Sequence, residues 1–401
     1  MSDARPVTIL CLASHFKGET FMRACKQLGC QVFLITRHKF ADEEWPRESI
    51  EEIFYMPDQL KRPDILYAVS YLARSRQIDR IIPLDDYDVE TAAALREHLR
   101  VPGMGETTVR YFRDKLAMRV QAQEKGIPVP EFVHVLNYDR LREFMGRVNP
   151  PWVLKPRSEA GSMGIKKIHS SEELWRSLDT LGDQQSFYVL EQYIPGDVFH
   201  VDSVIWEKEV VFSLAHQYGQ PPLDVSHGGG VFITRTLPRD SAEAQALGQV
   251  NRQLMTALGM VRGVTHAEYI RGHHDGRFYF LETAARVGGA NIAETVEAAS
   301  GLNLWTEWAR LEVAHVRGEA YQAPSIREGY AGILICLARQ EYPDLSGYRE
   351  PEIVWRMDKK NHAGLIVASD SPGRVQELLD QYSRRFAGDF LAVAPPRDRP
   401  E

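Results

Sequence analysis

The stretch "VLKPRSEAGSMGIKKI", Val153 to Ile168, places Gly161 and Gly164 between two apolar segments that both read as strands. Lysines stand on both of its shoulders. The run fits neither common phosphate fingerprint. A P-loop needs G-x-x-x-x-G-K-[ST] between a strand and a helix, and a dinucleotide fold needs G-x-G-x-x-G in the same setting. What remains is a flexible glycine hairpin. Such a hairpin folds over a phosphate chain, offering backbone N–H groups and serine hydroxyls. Its mobility lets it open to a nucleotide and close against water.

The rest of the chain sets bounds on what that hairpin serves. At 401 residues the sequence predicts two or three domains. Hydrophobic content of 44% and charged content of 26% are those of an ordinary globular protein. A net charge of −7 without a long basic run argues against a nucleic-acid partner. No apolar stretch reaches the ~18 residues of a membrane span. The start, "MSDARPVTILCLAS", runs directly into a strand pattern without a signal-peptide signature, so a cytoplasmic location is expected. Cys11, Cys25, Cys30 and Cys336 lack metal spacing and read as reduced thiols.

The first hundred residues alternate strand and helix. "VTILCLA" is a continuous apolar run suited to a strand covered on both faces. A helix to Leu28 is closed by Gly29, and "QVFLIT" and "DRIIPLDD" follow as strands of one parallel sheet. Ligands of open α/β sheets bind at carboxyl ends of strands, which marks Ser14–Gly18, Thr36–Arg37 and Asp85–Asp88. The alternative is that these are polar connections. A Gly/Pro boundary then leads into a helix of about 20 residues that "GIPVPEF" stops. Residues 151–212 read largely as strands around one helix, Ser170–Leu181, capped by "SSEE". Residues 221–235 read as a loop with three consecutive glycines, and Ser241–Leu258 as a helix. The tail from about Ala320 reads as a small α+β unit with strands "YAGILICLA" and "GLIVAS". Its helix has a serine cap and a proline in the first turn.

The chemistry concentrates in "THAEYIRGHHDGRFYFLE". If Arg271 pairs with Arg277, Glu268 and Glu282 share a face as diagonal neighbours ~7–8 Å apart. A one-residue slip would separate them. Two such carboxylates suit Mg²⁺, which is held by one or two carboxylates and substrate phosphate oxygens. Otherwise they are solvated strand residues, although their apolar neighbours fit a half-buried site better. Arg286 follows four positions after Glu282, where a fixed cation can stabilise a phosphoryl group or a developing oxyanion. Gly288 and Gly289 permit close backbone approach. Lys115 lies on the helix before the proline break, and Lys155 ends a strand before the glycine loop. "YVLEQYI" reads as a strand able to hold an adenine ring.

The order of a helical lysine, "IPVPEF", "LKPRSEAGSMGI", "VLEQYIPGD" and Glu…Glu with a trailing Arg resembles the ATP-grasp superfamily along nearly the full chain. "THAEYI…FLETAARVGGAN" is most similar to its L-amino-acid ligases, the dipeptide synthetases. The resemblance implies an ATP-grasp fold: an N-terminal parallel α/β domain (1–110), an ATP-grasp domain (111–320, lid about 128–195) and a small C-terminal α+β domain (321–401). It implies that Lys115 and Lys155 contact the ATP phosphates and that Ser158 to Gly164, with Gly161 and Ser162, form the lid. Glu191, Gln192 and Ile194 would line the adenine site, and Glu268 and Glu282 would hold Mg²⁺ (or Mn²⁺). Arg286 would bind an acyl phosphate or its tetrahedral successor. Asp197 is the nearest candidate for the ribose, with His200 as the alternative. Near the substrate would lie His227, Gly229 and Gly289, although a loop histidine such as His227 reads equally as a surface residue. Many ATP-grasp ligases carry Asn two residues after the second Glu. Ala284 stands there, which leaves the number of metal ions open.

The expected activity is ATP-dependent joining of a carboxylate, an amino acid first of all, to an amine through an acyl phosphate. Its partners would be small molecules, with no nucleic acid or membrane. Symmetry makes a homodimer the first expected oligomer. The rivals are an ATP-grasp carboxylase that activates bicarbonate and a nucleotide-binding regulatory protein without turnover. Retention of both lysines, both glutamates and Arg286 argues against the second. A dinucleotide oxidoreductase ranks below these, because "LASHFKGE" lacks the required glycine spacing.

Overall fold

The structure is a computed structural model that describes residues 5–58 and 62–393, without the side chains of Ser226 and His227. Strand β1 (Thr8–Ala13) is buried at every position, as its unbroken apolar run requires. It lies at the centre of a parallel sheet with β2 (Gln31–Arg37), β3 (Glu52–Met56) and β4 (Arg80–Pro83), in the order β3-β2-β1-β4. Alternate residues of β1 point to opposite faces. Ile9, Cys11 and Ala13 meet α1 (Glu19–Gln27), while Leu10 and Leu12 meet α2 (Arg62–Leu72) and α3 (Val89–Leu99). The four cysteines are buried free thiols.

The helix expected after residue 105 is broken. A short α4 (Glu106–Val109) and a tight turn precede α5 (Lys115–Glu124). The Asp114 side chain accepts from the N–H groups of Leu116 and Ala117. That N-cap restarts the helix and fixes Lys115 in its first turn.

A second, antiparallel sheet carries the glycine hairpin. It contains β5 (Phe132–His134), β6 (Trp152–Pro156), β7 (Lys166–Ile168) and β8 (Tyr188–Gln192), in the order β5-β8-β6-β7. Helices α6 (Tyr138–Arg147) and α7 (Ser171–Leu181) pack against it through Leu141, Phe144, Leu174 and Leu178. Ser170 caps α7, accepting from Glu173 N–H.

The third sheet has eight strands. β9 (Gly196–Trp206) and β10 (Glu209–Tyr218) lead to α8 (Pro222–Gly228) and β11 (Phe232–Thr236). The segment expected as a glycine loop is therefore a helix and a strand. Pro222 sits at the helix start, where its missing N–H costs nothing, and alternate β11 positions Thr234 and Thr236 are buried. After α9 (Ala242–Leu258) come β12 (Gly263–Gly272), β13 (Phe278–Ala284), α10 (Ile292–Ser300) and α11 (Leu304–Arg317). The C-terminal α+β unit, β14 (Tyr330–Leu337), β15 (Ile353–Arg356), β16 (His362–Ser369) and α12 (Pro372–Asp389), extends this sheet. Its order is β13-β12-β9-β10-β11-β14-β16-β15. The unit is thus joined to the central sheet through the β11–β14 pairing.

Candidate active site

Two cavities meet at the β12–β13 hairpin. The first, about 360 Å³, is walled by the glycine loop after β6, α5 and the segment after β13, with Asp86 from the turn after β4. The second, about 120 Å³, lies between the β5–β8 sheet and the eight-stranded sheet, beside Lys155, Gln192, Ile194 and Leu281. Lys115, Ser162, Glu268 and Glu282 line both.

The hairpin register differs by one from the expected one. Arg271 pairs with Phe278, and a bulge between Glu268 and Tyr269 leaves Leu281 extra on β13. Glu268 then lies directly opposite Glu282 rather than diagonal to it. The bulge restores the shared face that the register alone would have lost. Glu282 Oε2 is 2.7 Å from Lys115 Nζ, which also donates to the Glu159 carbonyl at 2.6 Å. Burial raises the Glu282 pKa, but Lys115 outweighs it and brings the group to about 2. This carboxylate is charged at any working pH.

Glu268 is held from behind. Tyr218 Oη donates to Glu268 Oε1 at 2.7 Å, and His266 Nε2 lies 3.5 Å from the same oxygen. His266 Nδ1 and His200 Nδ1 both face Asp202, at 2.9 and 2.7 Å. His200 Nε2 reaches Thr234 Oγ1 at 2.7 Å. A continuous polar chain therefore runs under the hairpin from β11 to Glu268. It occupies His200 completely, so this residue is not available to a ribose.

Lys155 Nζ is 2.6 Å from Glu191 Oε2, and Arg119 Nε is 2.9 Å from Glu191 Oε1. Burial and Arg119 push the Lys155 pKa down while Glu191 opposes them. Burial raises Glu191, but Arg119 and Lys155 outweigh it and hold it below the usual carboxylate range. The Glu191 side chain is thus committed to an ion pair, and its share of the second cavity's wall is structural. Arg119 was not anticipated, although its i+4 spacing from Lys115 on α5 is the signal that would have marked it.

Several expected residues stand elsewhere. Asp197 lies at the surface 3.4 Å from His273, with its side chain 54% exposed, and lines neither cavity. An aspartate that does line the second cavity is Asp224 on α8. Gly161, Ser162 and Gly289 line the first cavity, whereas Ser158, Gly164 and Gly229 do not. Gly164 instead makes the turn possible. Its φ is 66°, and a Cβ there would lie 2.9 Å from Pro156. The His227 side chain lies outside the described residues. Of the acidic loop, only Asp86 lines the cavity, paired with Arg286. Asp85 is paired with Lys17 and Asp88 with Ser14.

Comparison with known proteins fits this geometry. The model of the ATP-grasp domain matches residues 148–294, which hold Lys155, the glycine loop, Glu268, Glu282 and Arg286. An L-arginine-specific L-amino acid ligase of Bacillus subtilis is 25% identical over 75% of this chain and 78% of its own. The chain thus carries an ATP-grasp domain, and relatives that it matches are named as ligases. The fold agrees along its length. The crystal structure of an L-amino acid ligase from Bacillus licheniformis superposes with a TM-score of 0.75 at 18% identity, covering 97% of this chain and 99% of that one. An N5-carboxyaminoimidazole synthetase from Staphylococcus aureus, complexed with ADP, gives 0.71 at 15% identity over 94% and 96%. No helix among the described residues is long and apolar enough to cross a membrane.

The residues present fit a divalent cation. Two facing carboxylates on one sheet face open to both cavities, and hard oxygen donors of this kind suit Mg²⁺ or Mn²⁺. The cation would neutralise phosphate charge between them.

Proposed function

We propose that this protein joins the carboxylate of an amino acid to an amine through an acyl phosphate, releasing ADP and phosphate. In this reading residues 1–110, 111–320 and 321–401 act as three domains, with a lid at about 128–195. A carboxylate oxygen attacks the γ-phosphorus as ADP leaves. The amine nitrogen then attacks the acyl carbon, phosphate departs, and the amine loses its proton to solvent. Lys155 and Lys115 bind phosphate oxygens, and the loop from Ser158 to Gly164 excludes water. Gln192 and Ile194 flank the base. Glu268 and Glu282 hold the metal, and Arg286 faces the activated carboxyl group.

The observation that carries the amino-acid reading is the first cavity. It sets the Arg286 guanidinium beside the Asp86 carboxylate in about 360 Å³ that is also lined by Glu268, Glu282, Arg113, Phe112, Met118, Val225, Phe232 and Ile292. Opposite charges a few ångströms apart match a zwitterion, and the apolar wall accommodates a side chain. Bicarbonate would leave most of this volume unfilled. The test is ADP release against pools of amino acids, with product mass measured. A product whose mass equals that of its two parts less one water supports ligation. ADP release that depends on bicarbonate alone overturns it.

A further inference from the structure

A separate cavity of about 290 Å³ lies among α3, the loop Pro102–Gly105, the end of β4, the start of β12 and α11. It shares no lining residue with the two cavities of the active site. Three guanidinium groups converge on it, those of Arg80, Arg96 and Arg262.

Their counter-charges are too few. Arg80 Nε donates to Glu312 Oε2 at 3.0 Å, and Arg262 Nε stands 3.6 Å from the same oxygen. Arg262 Nη1 reaches Glu207 at 3.0 Å, but that carboxylate is 53% exposed. Arg96 donates only to main-chain carbonyls, those of Ile81 and Met104. His315 adds no negative charge, and burial with Arg262 and Arg80 lowers its imidazole pKa. One buried and one solvated carboxylate therefore face three guanidiniums.

Two details show that the excess is built in. Arg262 is 8% exposed, and its Nε is buried without a hydrogen-bond partner. A buried, unsatisfied charged donor is costly unless something else completes it. Gly103 has φ 151°, and a Cβ there would lie 2.8 Å from Arg96 Cδ. Only glycine lets that loop close over the guanidinium. Each arginine carries five N–H donors, and hydrogen bonds, including those of Arg80 to the Asp79 carbonyl and to His315, use three on Arg80, three on Arg96 and one on Arg262. Donors remain on all three.

We propose that this cavity is a second binding site, which takes a compact oxyanion, a small molecule bearing carboxylate or phosphate, on the free N–H groups of Arg80, Arg96 and Arg262. Planar forks of this kind match both anion types. Ala285 forms part of its wall, and the next residue, Arg286, lines the active-site cavity. The two sites are thus one residue apart along the chain.

Calorimetry on the whole protein tests this, with the nucleotide site saturated by Mg·ADP and either inorganic phosphate or succinate as titrant. At least one of the two should bind, and which one does identifies the anion class. Arg262→Gln should weaken that binding by about tenfold or more, as loss of a charge-assisted fork does, and Arg286→Ala should leave it unchanged. Thr108→Trp keeps every arginine and fills the cavity, so it should abolish binding even if Arg262→Gln folds poorly. Absence of binding by both anions overturns the proposal. So does binding that falls with Arg286→Ala but survives Arg262→Gln and Thr108→Trp. Neither result bears on the ligase reaction, which the ADP-release assay tests separately.

Discussion

Arg286, just after the β12–β13 hairpin, donates through Nη2 to Asp86, which lies 200 positions earlier in the turn after β4. Burial lowers the Arg286 pKa, yet Asp86 outweighs it, so the guanidinium stays charged and positioned before substrate arrives. If it neutralises charge that develops on the acyl group, its contribution is greater in the transition state than in the ground state. Arg286→Ala should lower kcat by about 10²–10³ with little change in KM for ATP, as for a lost oxyanion donor. Arg286→Lys should recover little, because a point charge does not reproduce the planar fork. Loss of ATP binding with kcat retained at saturation would make Arg286 a nucleotide anchor instead.

In the proposed function, removing either facing carboxylate deletes a metal ligand without emptying the core. Glu282→Ala and Glu268→Ala should each reduce turnover to below about 1% while the circular dichroism spectrum is unchanged. Near-normal rates at saturating Mg²⁺ in either variant would refute the metal assignment.

Tyr218 donates to Glu268 Oε1 at 2.7 Å, and in the proposed function that carboxylate holds the metal. Tyr218→Phe keeps the ring and removes that bond. Partners of this kind tune metal affinity by about 10–100-fold, so the Mg²⁺ activation curve should move to higher concentration with kcat at saturation largely retained. An unshifted curve would reduce Tyr218 to a packing role.

Lys155 pairs with Glu191 and, in the proposed function, also binds phosphate. Lys155→Met should weaken ATP binding measured by calorimetry and also lower Tm. The stability loss should be smaller than the ~3–5 kcal/mol typical of a broken buried pair, because Arg119 still neutralises Glu191. Undiminished nucleotide affinity would remove Lys155 from the ATP site.

Asp88 is fully buried beside Asp85, and burial followed by that neighbour pushes its pKa up to about 6. Unfolded, it titrates near 3.8. Between these values the folded state holds a proton that the unfolded state has lost, so stability falls as pH rises through about 4 to 6. The loss is on the order of 2–3 kcal/mol. Asp88→Asn keeps a hydrogen-bonding partner for Ser14 and removes the titration. Denaturant unfolding at pH 4 and pH 7 should therefore show the variant gaining relative to the parent at pH 7. Equal pH dependence in both proteins would refute this.

The sequence alone determined what local chemistry can determine. The apolar run of β1, the cap at Ser170, the glycine hairpin after Lys155 and the order Lys, Lys, Glu, Glu, Arg are all legible residue by residue, because propensity, periodicity and turn chemistry act over a few positions. Tertiary structure decided the rest. The bulge that sets Glu268 opposite Glu282 depends on the packing of two strands, and no residue in "GHHDG" announces it. The Asp86–Arg286 pair, the Asp202 relay behind Glu268 and the three-arginine cavity each join elements far apart in the chain. Such groups meet only when separate sheets dock. Their charges acquire meaning from burial, which is a property of the packed molecule and not of any segment.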